Sequence, residues 1–204
     1  MITINIDLGS AKEIKALVIY DHNLSSTATI TLKGVEPTIF SESVTWASGK
    51  ILHYLSAATT KRYWQLQITD DANTDLYIDI GELFLGSYME LSKNYSIGFS
   101  KGFELLYDSN VTPYGVMKKR FYNRQRTFTY DFKLIATADM TLLDTMIDSL
   151  AVRSTGVLSP FWFNDDSDTV ANNWLVDIFE IPQAHMAGSF YETSLVLKET
   201  ARSV

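Results

Sequence analysis

The chain has 204 residues, 46% of them hydrophobic and 13% aromatic, and it contains no cysteine. That composition excludes a disordered chain, a disulfide framework and any thiolate nucleophile or thiolate metal site. Seventeen basic and 24 acidic side chains leave a formal charge of −7, so the overall field does not draw the protein onto nucleic-acid backbones.

The first residues, 1–7, have neither the basic start nor the apolar core of a signal segment, and no run reaches the ~18 apolar residues of a membrane helix, which predicts a soluble protein. Ile2, Ile4, Ile6 and Leu8 alternate with polar residues, the mark of a half-buried strand, and Gly9-Ser10 predicts its end. A second strand is expected at 14–20, broken by the turn residues Asp21-His22-Asn23, and a third at 27–32. The stretch 35–50 carries Pro37 and Gly49 and reads as a long loop with one short strand around 44–46. Strands follow at 51–55, 63–69 and 76–85, the last two separated by the polar turn 70–75. Turns at about ten-residue spacing point to a sandwich or jelly roll.

Residues 87–94 read as a junction. Divided at residue 90, the first part holds 6 basic and 11 acidic residues (−5) and the second 11 and 13 (−2). Beyond the junction, 95–106 places Gly98 and Gly102 among aromatics, and 115–121 is an extended run rich in Lys and Arg. In 127–134, Phe128, Tyr130, Phe132 and Leu134 share one face of a strand. Met140, Leu143, Met146, Ile147 and Leu150 then recur at helical steps, predicting one amphipathic helix over about 138–152. Thr137 is placed to cap it, Asp139 suits the positive end of its dipole, and Gly156 is placed to stop it. Strands at 161–163, 173–181 and 190–198 complete the reading, with a polar loop at 164–168.

No catalytic constellation emerges. His22, His53 and His185 lie at no metal-ligand spacing, and no nucleophile-elbow pattern is present. Asp165, Asp166 and Asp168 resemble the start of a calcium loop, but the sixth and twelfth positions are Val170 and Val176 where a glycine and a glutamate are needed. The expectation is a non-enzyme with no cofactor and no metal. Trp46, Tyr54, Tyr63 and Trp64 suggest a sugar-stacking platform, weighed against packing of strand aromatics. Lys118, Lys119, Arg120, Arg124 and Arg126, interleaved with Phe121 and Tyr122, form the most basic window and read as a subunit-interface edge rather than a nucleic-acid site.

Two resemblances organise these elements. "IDLGS" at 6–10, the strand 14–19, "YWQLQI" at 63–68 and "IGELFLG" at 80–86 resemble a galactose-binding-like (discoidin-type) jelly roll, which implies a β-sandwich over residues 1–90. Arg126-Thr127-Phe128, the helix, "PFWF" at 160–163 and the closing strand 188–199 are similar to tail-tube-like minor tail proteins of long-tailed bacteriophages. That likeness implies a β-barrel or sandwich with a single packed helix over residues 91–204, and a mainly β chain in two domains. Together they resemble a distal-tail, or tail-tip, protein. The implied role is structural: a virion protein, made in the host cytoplasm, whose hexameric ring joins the tail tube to the tip or baseplate. Its partners would be its own copies and the tail tube, tape measure and hub proteins, with no membrane, and with DNA passing through the lumen without specific binding. Candidate interface residues are Lys118, Lys119, Arg120 and Arg124, facing Asp144 and Asp148 on the outer side of the helix. The alternative is a carbohydrate-binding module or adhesin that takes a host glycan through the jelly roll.

Overall fold

The computed structural model describes every residue except 36–37, 97–98, 153–156, 167–168, 170–171, 181, 183, 188–189 and 201–204. The chain is mainly β, with two larger antiparallel sheets and one helix. Pro37, Gly98, Gly156, Asp168 and Val170, and the Gly188-Ser189 start of the closing motif, lie outside the described residues.

The chain divides into two compact units, Met1–Tyr88 with Asp166–Asn172, and Met89–Asp165 with Asn173–Val204. In the first unit, β1 (Ile2–His22), β2 (Thr29–Val35), β3 (Phe40–Val44), β4 (Lys50–Thr69) and β5 (Ile80–Gly86) form one sheet in the order β3-β2-β4-β1-β5. Gly9-Ser10 does not end a strand. Instead β1 runs on for 21 residues, and β4 likewise joins the expected strands at 51–55 and 63–69.

What looked like turns are bulges in this long pair. Asp7 faces Tyr63 but Lys12 already faces Lys61, and Ile14 faces Thr59 but Ala16 faces Tyr54. Each strand therefore loops out once against the other, and such irregularities bend a sheet. On one side of the bend the amino-terminal half of β1 pairs with residues 63–68 of β4, which also carry β2 and through it β3; on the other, the carboxy-terminal half of β1 lies between residues 50–54 of β4 and β5. Ile14, Leu17 and Ile19 from the second half share one core with Ile30, Leu32, Trp64, Leu66 and Ile68 from the first, so the bent sheet closes over itself like a sandwich.

The first bulge is tied down locally. Gly9 takes φ +73, a conformation that side chains other than glycine's rarely adopt, and its N–H donates to Asp7 Oδ1 at 2.8 Å. Arg62, the residue that β4 sets against the bulge, grips the same carboxylate at 2.8 and 2.9 Å. The Arg62 bond, helped by the Gly9 N–H, holds the Asp7 carboxyl down at about 2.

In the second unit, β6 (Ser100–Val111), β7 (Met117–Ile135), α1 (Thr137–Leu150), β8 (Ala151–Val152), β9 (Val157–Leu158), β10 (Phe161–Asn164), β11 (Asn173–Glu180), β12 (His185–Ala187) and β13 (Phe190–Glu199) follow in turn. The main sheet has the order β10-β11-β13-β7-β6, with β12 paired to β13, while β8 and β9 make a small separate ladder. Phe128, Tyr130 and Phe132 are buried on one face of β7, as their alternation predicts. Leu134 is not: it sits at φ +56 with half its surface exposed, and Ile135 is buried in its place. The pairing with β13 slips by one residue there, Tyr191 facing Ile135 and Thr193 facing Phe132, so the bulge reverses the parity of the strand end.

The helix begins one residue early relative to the expected cap. Ala136 is the extended residue before it and offers no side-chain cap, while Thr137 is already helical. At the other end Ala151 turns straight into β8, and the Leu150 carbonyl accepts from Ser159 N at 2.8 Å, so the helix stops well short of Gly156. Met140 and Leu143 are buried in the same core as the β7 aromatics and Met146 packs against it, whereas Ile147 and Leu150 are only half-buried. Asp139 does more than face the helix dipole. It is buried and accepts from Ser92 N at 3.1 Å and Ser92 Oγ at 2.5 Å, which fastens the segment bearing Met89, Leu91 and Tyr95 onto the same core.

Two outcomes follow. Leu143→Ala should destabilise the second unit by about 2–5 kcal/mol, the range for emptying a buried leucine site, and Leu150→Ala by less than half as much, measured by urea unfolding. Because Asp7 titrates lower folded than free, its pair with Arg62 stabilises the fold above the ordinary value of 3.8 and ceases to do so as pH falls through about 2. Arg62→Ala should therefore return the Asp7 carboxyl toward 3.8 in an NMR titration.

Candidate functional site

The sheet of the second unit does not end where its core ends. β13 pairs with β7 from Ile135 only as far as Thr127, but β6 and β7 go on pairing with each other from Phe103 opposite Arg126 to Val111 opposite Met117. Residues 103–126 thus form a two-stranded arm about 30 Å long, nine paired positions at about 3.4 Å each. Its tip is closed by Thr112 N to Val116 O at 2.9 Å and Gly115 N to Thr112 O at 2.8 Å, with Gly115 at φ +77.

Pairing across an antiparallel ladder puts opposed residues on one face. Phe103 with Arg126, Leu105 with Arg124, Tyr107 with Phe121, Ser109 with Lys119 and Val111 with Met117 make up the first face. This is the face on which Phe128 and Tyr130 meet the core two and four residues further along β7. Near the core it is covered: Tyr130 stands 4.7 Å from Tyr95 and 5.8 Å from Phe99, centroid to centroid, and Phe128 5.0 Å from Trp174. Beyond Gly102 the cover stops. Phe103 is 58% exposed, Tyr107 47% and Phe121 59%.

The cations of this face lie over its rings. Arg124 and Arg126 sit 5.1 and 5.9 Å from the Phe103 centroid, and Lys119 sits 4.7 Å from that of Tyr107. No carboxylate of the arm shares this face. Glu104 and Asp108 point the other way, Glu104 paired with Lys198 at 2.5 Å and Asp108 accepting from Tyr122 OH, a bond that pushes the phenol up from its usual value. The expected basic edge is therefore two surfaces. Lys119 and Arg124 stand on the apolar face, while Lys118 and Arg120 stand on the polar one, where Arg120 lies 5.3 Å from the Tyr122 ring. Asp144 and Asp148 are exposed on α1.

At the root of the arm lies a feature that the sequence did not signal. Asp165, read as one residue of a polar loop, has a side chain only 3% exposed, and it accepts from Lys101 Nζ and, at 3.2 Å, from Tyr130 OH. Burial, reinforced by the Asp165 charge, drives the Tyr130 phenol far above its ordinary value and keeps it a neutral donor. The ion pair anchors the first turn of β6 to the core, just below the point where the arm emerges.

The other candidates are dispersed. Trp64 is core and Trp46 is half-buried, its Nε1 donating to Leu24 O at 3.0 Å; Tyr54 packs edge-on to Tyr88, and Tyr63 lies exposed beside Arg62. The four do not make one platform. His22 bonds Ala47 O at 3.0 Å, and burial lowers its titration. His53 stands 3.2 Å from Glu42, and His185 is exposed beside an open cleft of about 730 Å³ floored by Asp131, Lys133, Glu180 and Glu192. Among the described residues, no group of three or more His, Asp or Glu side chains is placed to hold a metal ion, and no helix is long and apolar enough to cross a membrane.

No family model, no curated protein and no solved structure matches this chain.

Proposed function

We propose that this chain is a structural subunit of a phage tail tip, assembling with its own copies into a ring that joins the tail tube to the tip or baseplate, and that it performs no chemistry. The observation that carries the reading is the arm. A monomer rarely leaves a contiguous apolar face of more than a few hundred Å² in water unless that face is used, and here a core-side face continues outward with its rings uncovered. In this reading the projecting arm docks on a different surface of its neighbour, a head-to-tail contact that closes into a ring when the rotation permits. The acidic overall charge suits a lumen through which a genome passes without being held. Within this reading the tail tube, tape measure and hub are the chain's neighbours.

The purified chain should form closed oligomers, most simply hexamers, in mass photometry. Replacing residues 108–120 with Asn-Gly puts a two-residue turn between the opposed Tyr107 and Phe121 and removes the outer arm. That variant should melt within about 4 °C of the parent, a change worth about 1 kcal/mol or less, because the deleted residues contact mainly one another. It should remain monomeric. A parent chain that is a monomer at every concentration, or a shortened chain that still forms rings, contradicts the reading.

A further inference from the structure

We infer that the apolar, cationic face of the arm docks on the acidic loop at residues 70–79 of a second copy of this chain. This rests on the assembly reading and names the two surfaces that meet. The arm supplies one side. Phe103, Leu105, Tyr107, Phe121, Val111 and Met117 form its apolar row, with Lys119 and Arg124 among them and Arg126, paired with Glu199 at 3.4 Å, at its root; the arm itself places no carboxylate on that face. Six such side chains, each about half exposed, present on the order of 500 Å², taking ~150–250 Å² for a whole aromatic side chain. With a matching area on the partner this reaches the ~1,000 Å² that a specific interface needs.

The occupant follows from charge. Residues 117–126 hold five basic and no acidic side chains, while residues 70–92 hold six acidic and no basic ones. These are opposite extremes of one sequence. Within the acidic stretch, Asp71, Asp75 and Asp79 are exposed, and between them stand Leu76, 94% exposed, and Tyr77, 62% exposed. An apolar pair ringed by carboxylates is the complement of rings carrying cations, and such matching sets register and orientation.

The loop is also held in shape before any partner arrives. Asn73 Nδ2 donates to Asn23 O at 3.2 Å and to Tyr77 O at 3.1 Å. Asn23 Nδ2 donates to Asp75 Oδ2 and to Tyr77 O, both at 3.0 Å, and Asp79 N donates to Asn23 Oδ1 at 2.8 Å. Leu76 is kept at φ +62 inside this lattice, a strained backbone that points an apolar side chain into water. Asp70 is bound by Ser25 through N and Oγ and forms the base of the loop rather than its contact surface. A rigid loop loses little conformational freedom on docking, which leaves more of the contact energy for binding. By contrast, α1 offers only Asp144 and Asp148, with Leu142 as its one exposed large apolar residue.

The test exchanges charges between copies. One full-length chain carries Lys119→Glu with Arg124→Glu, and another carries Asp71→Lys with Asp79→Lys. Circular dichroism establishes that each is folded; if the arm reversal unfolds the chain, Lys119→Gln with Arg124→Gln replaces it. Each reversed chain alone should self-associate at least tenfold more weakly than the parent in analytical ultracentrifugation, and an equimolar mixture should recover assembly, the two chains alternating. The parent's association should also weaken between about 0.1 and 1 M salt, where the Debye length falls from about 10 to about 3 Å. A loop-reversed chain that associates like the parent overturns the inference, and if Asp144→Lys with Asp148→Lys weakens assembly instead, the helix is the docking surface. Rescue only when both reversals are in one chain, and never in the mixture, also overturns it, because the contact is then made within a chain. These failures leave rings of the parent intact, whereas a parent that never associates contradicts the assembly reading itself.

Discussion

The second unit depends on one strand serving two masters. β7 places Phe128, Tyr130 and Phe132 in one buried core with Met140 and Leu143 of α1, Val176 of β11 and Leu195 and Leu197 of β13, and burial of that cluster stabilises the unit. Two buried carboxylates complete it. Asp139 fastens the incoming segment through Ser92, and Asp165 takes Lys101 and the Tyr130 phenol. Removing one member of such a buried set leaves the others charged or polar without a partner, so these residues fix which strand lies where. The same strand then continues past its cover, and its inner face becomes the arm's exposed face.

In the first unit the constraint is different. A single sheet encloses a core only if it bends, and here the bend comes from looping out β1 at 8–11 and β4 at 55–58. The Asp7, Gly9 and Arg62 clamp stabilises one of these excursions from outside the core, so its role is to place the bend rather than to supply much burial. Trp64 and Leu66 then meet Leu17 and Ile19 across the fold of the sheet. The Asn23 and Asn73 lattice sits at the end of this unit, where it shapes the 70–79 loop.

Much of the β architecture was legible because alternation of apolar side chains reports which face of a strand is covered. The helix was legible for the same reason, through Met140, Leu143 and Met146 at helical spacing. Bulges were not, since they change parity without changing composition: Leu134 and Ile135 are both apolar, and only the slip against Thr193 and Tyr191 decides which is buried. Gly9 looked like a strand end because a glycine at positive φ serves a turn and a bulge equally well. Asp139 and Asp165 were read by local rules, a helix dipole and a polar loop, whereas their partners Ser92, Lys101 and Tyr130 lie 35 or more residues away. The basic window was visible as composition, but its division between two faces depends on the register of β6 against β7.

If the arm's inner face is covered by another copy, its backbone amides must change with concentration while the core strands do not. Hydrogen–deuterium exchange followed by mass spectrometry, run on dilute and concentrated protein, reads this directly. Protection of β6 and β7 within residues 103–126 that rises at least tenfold on concentration, with 127–135 unchanged, is the expected result. Exchange in the arm that is the same at all concentrations, in protein shown to be oligomeric, would contradict the claim that this face is where the copies meet.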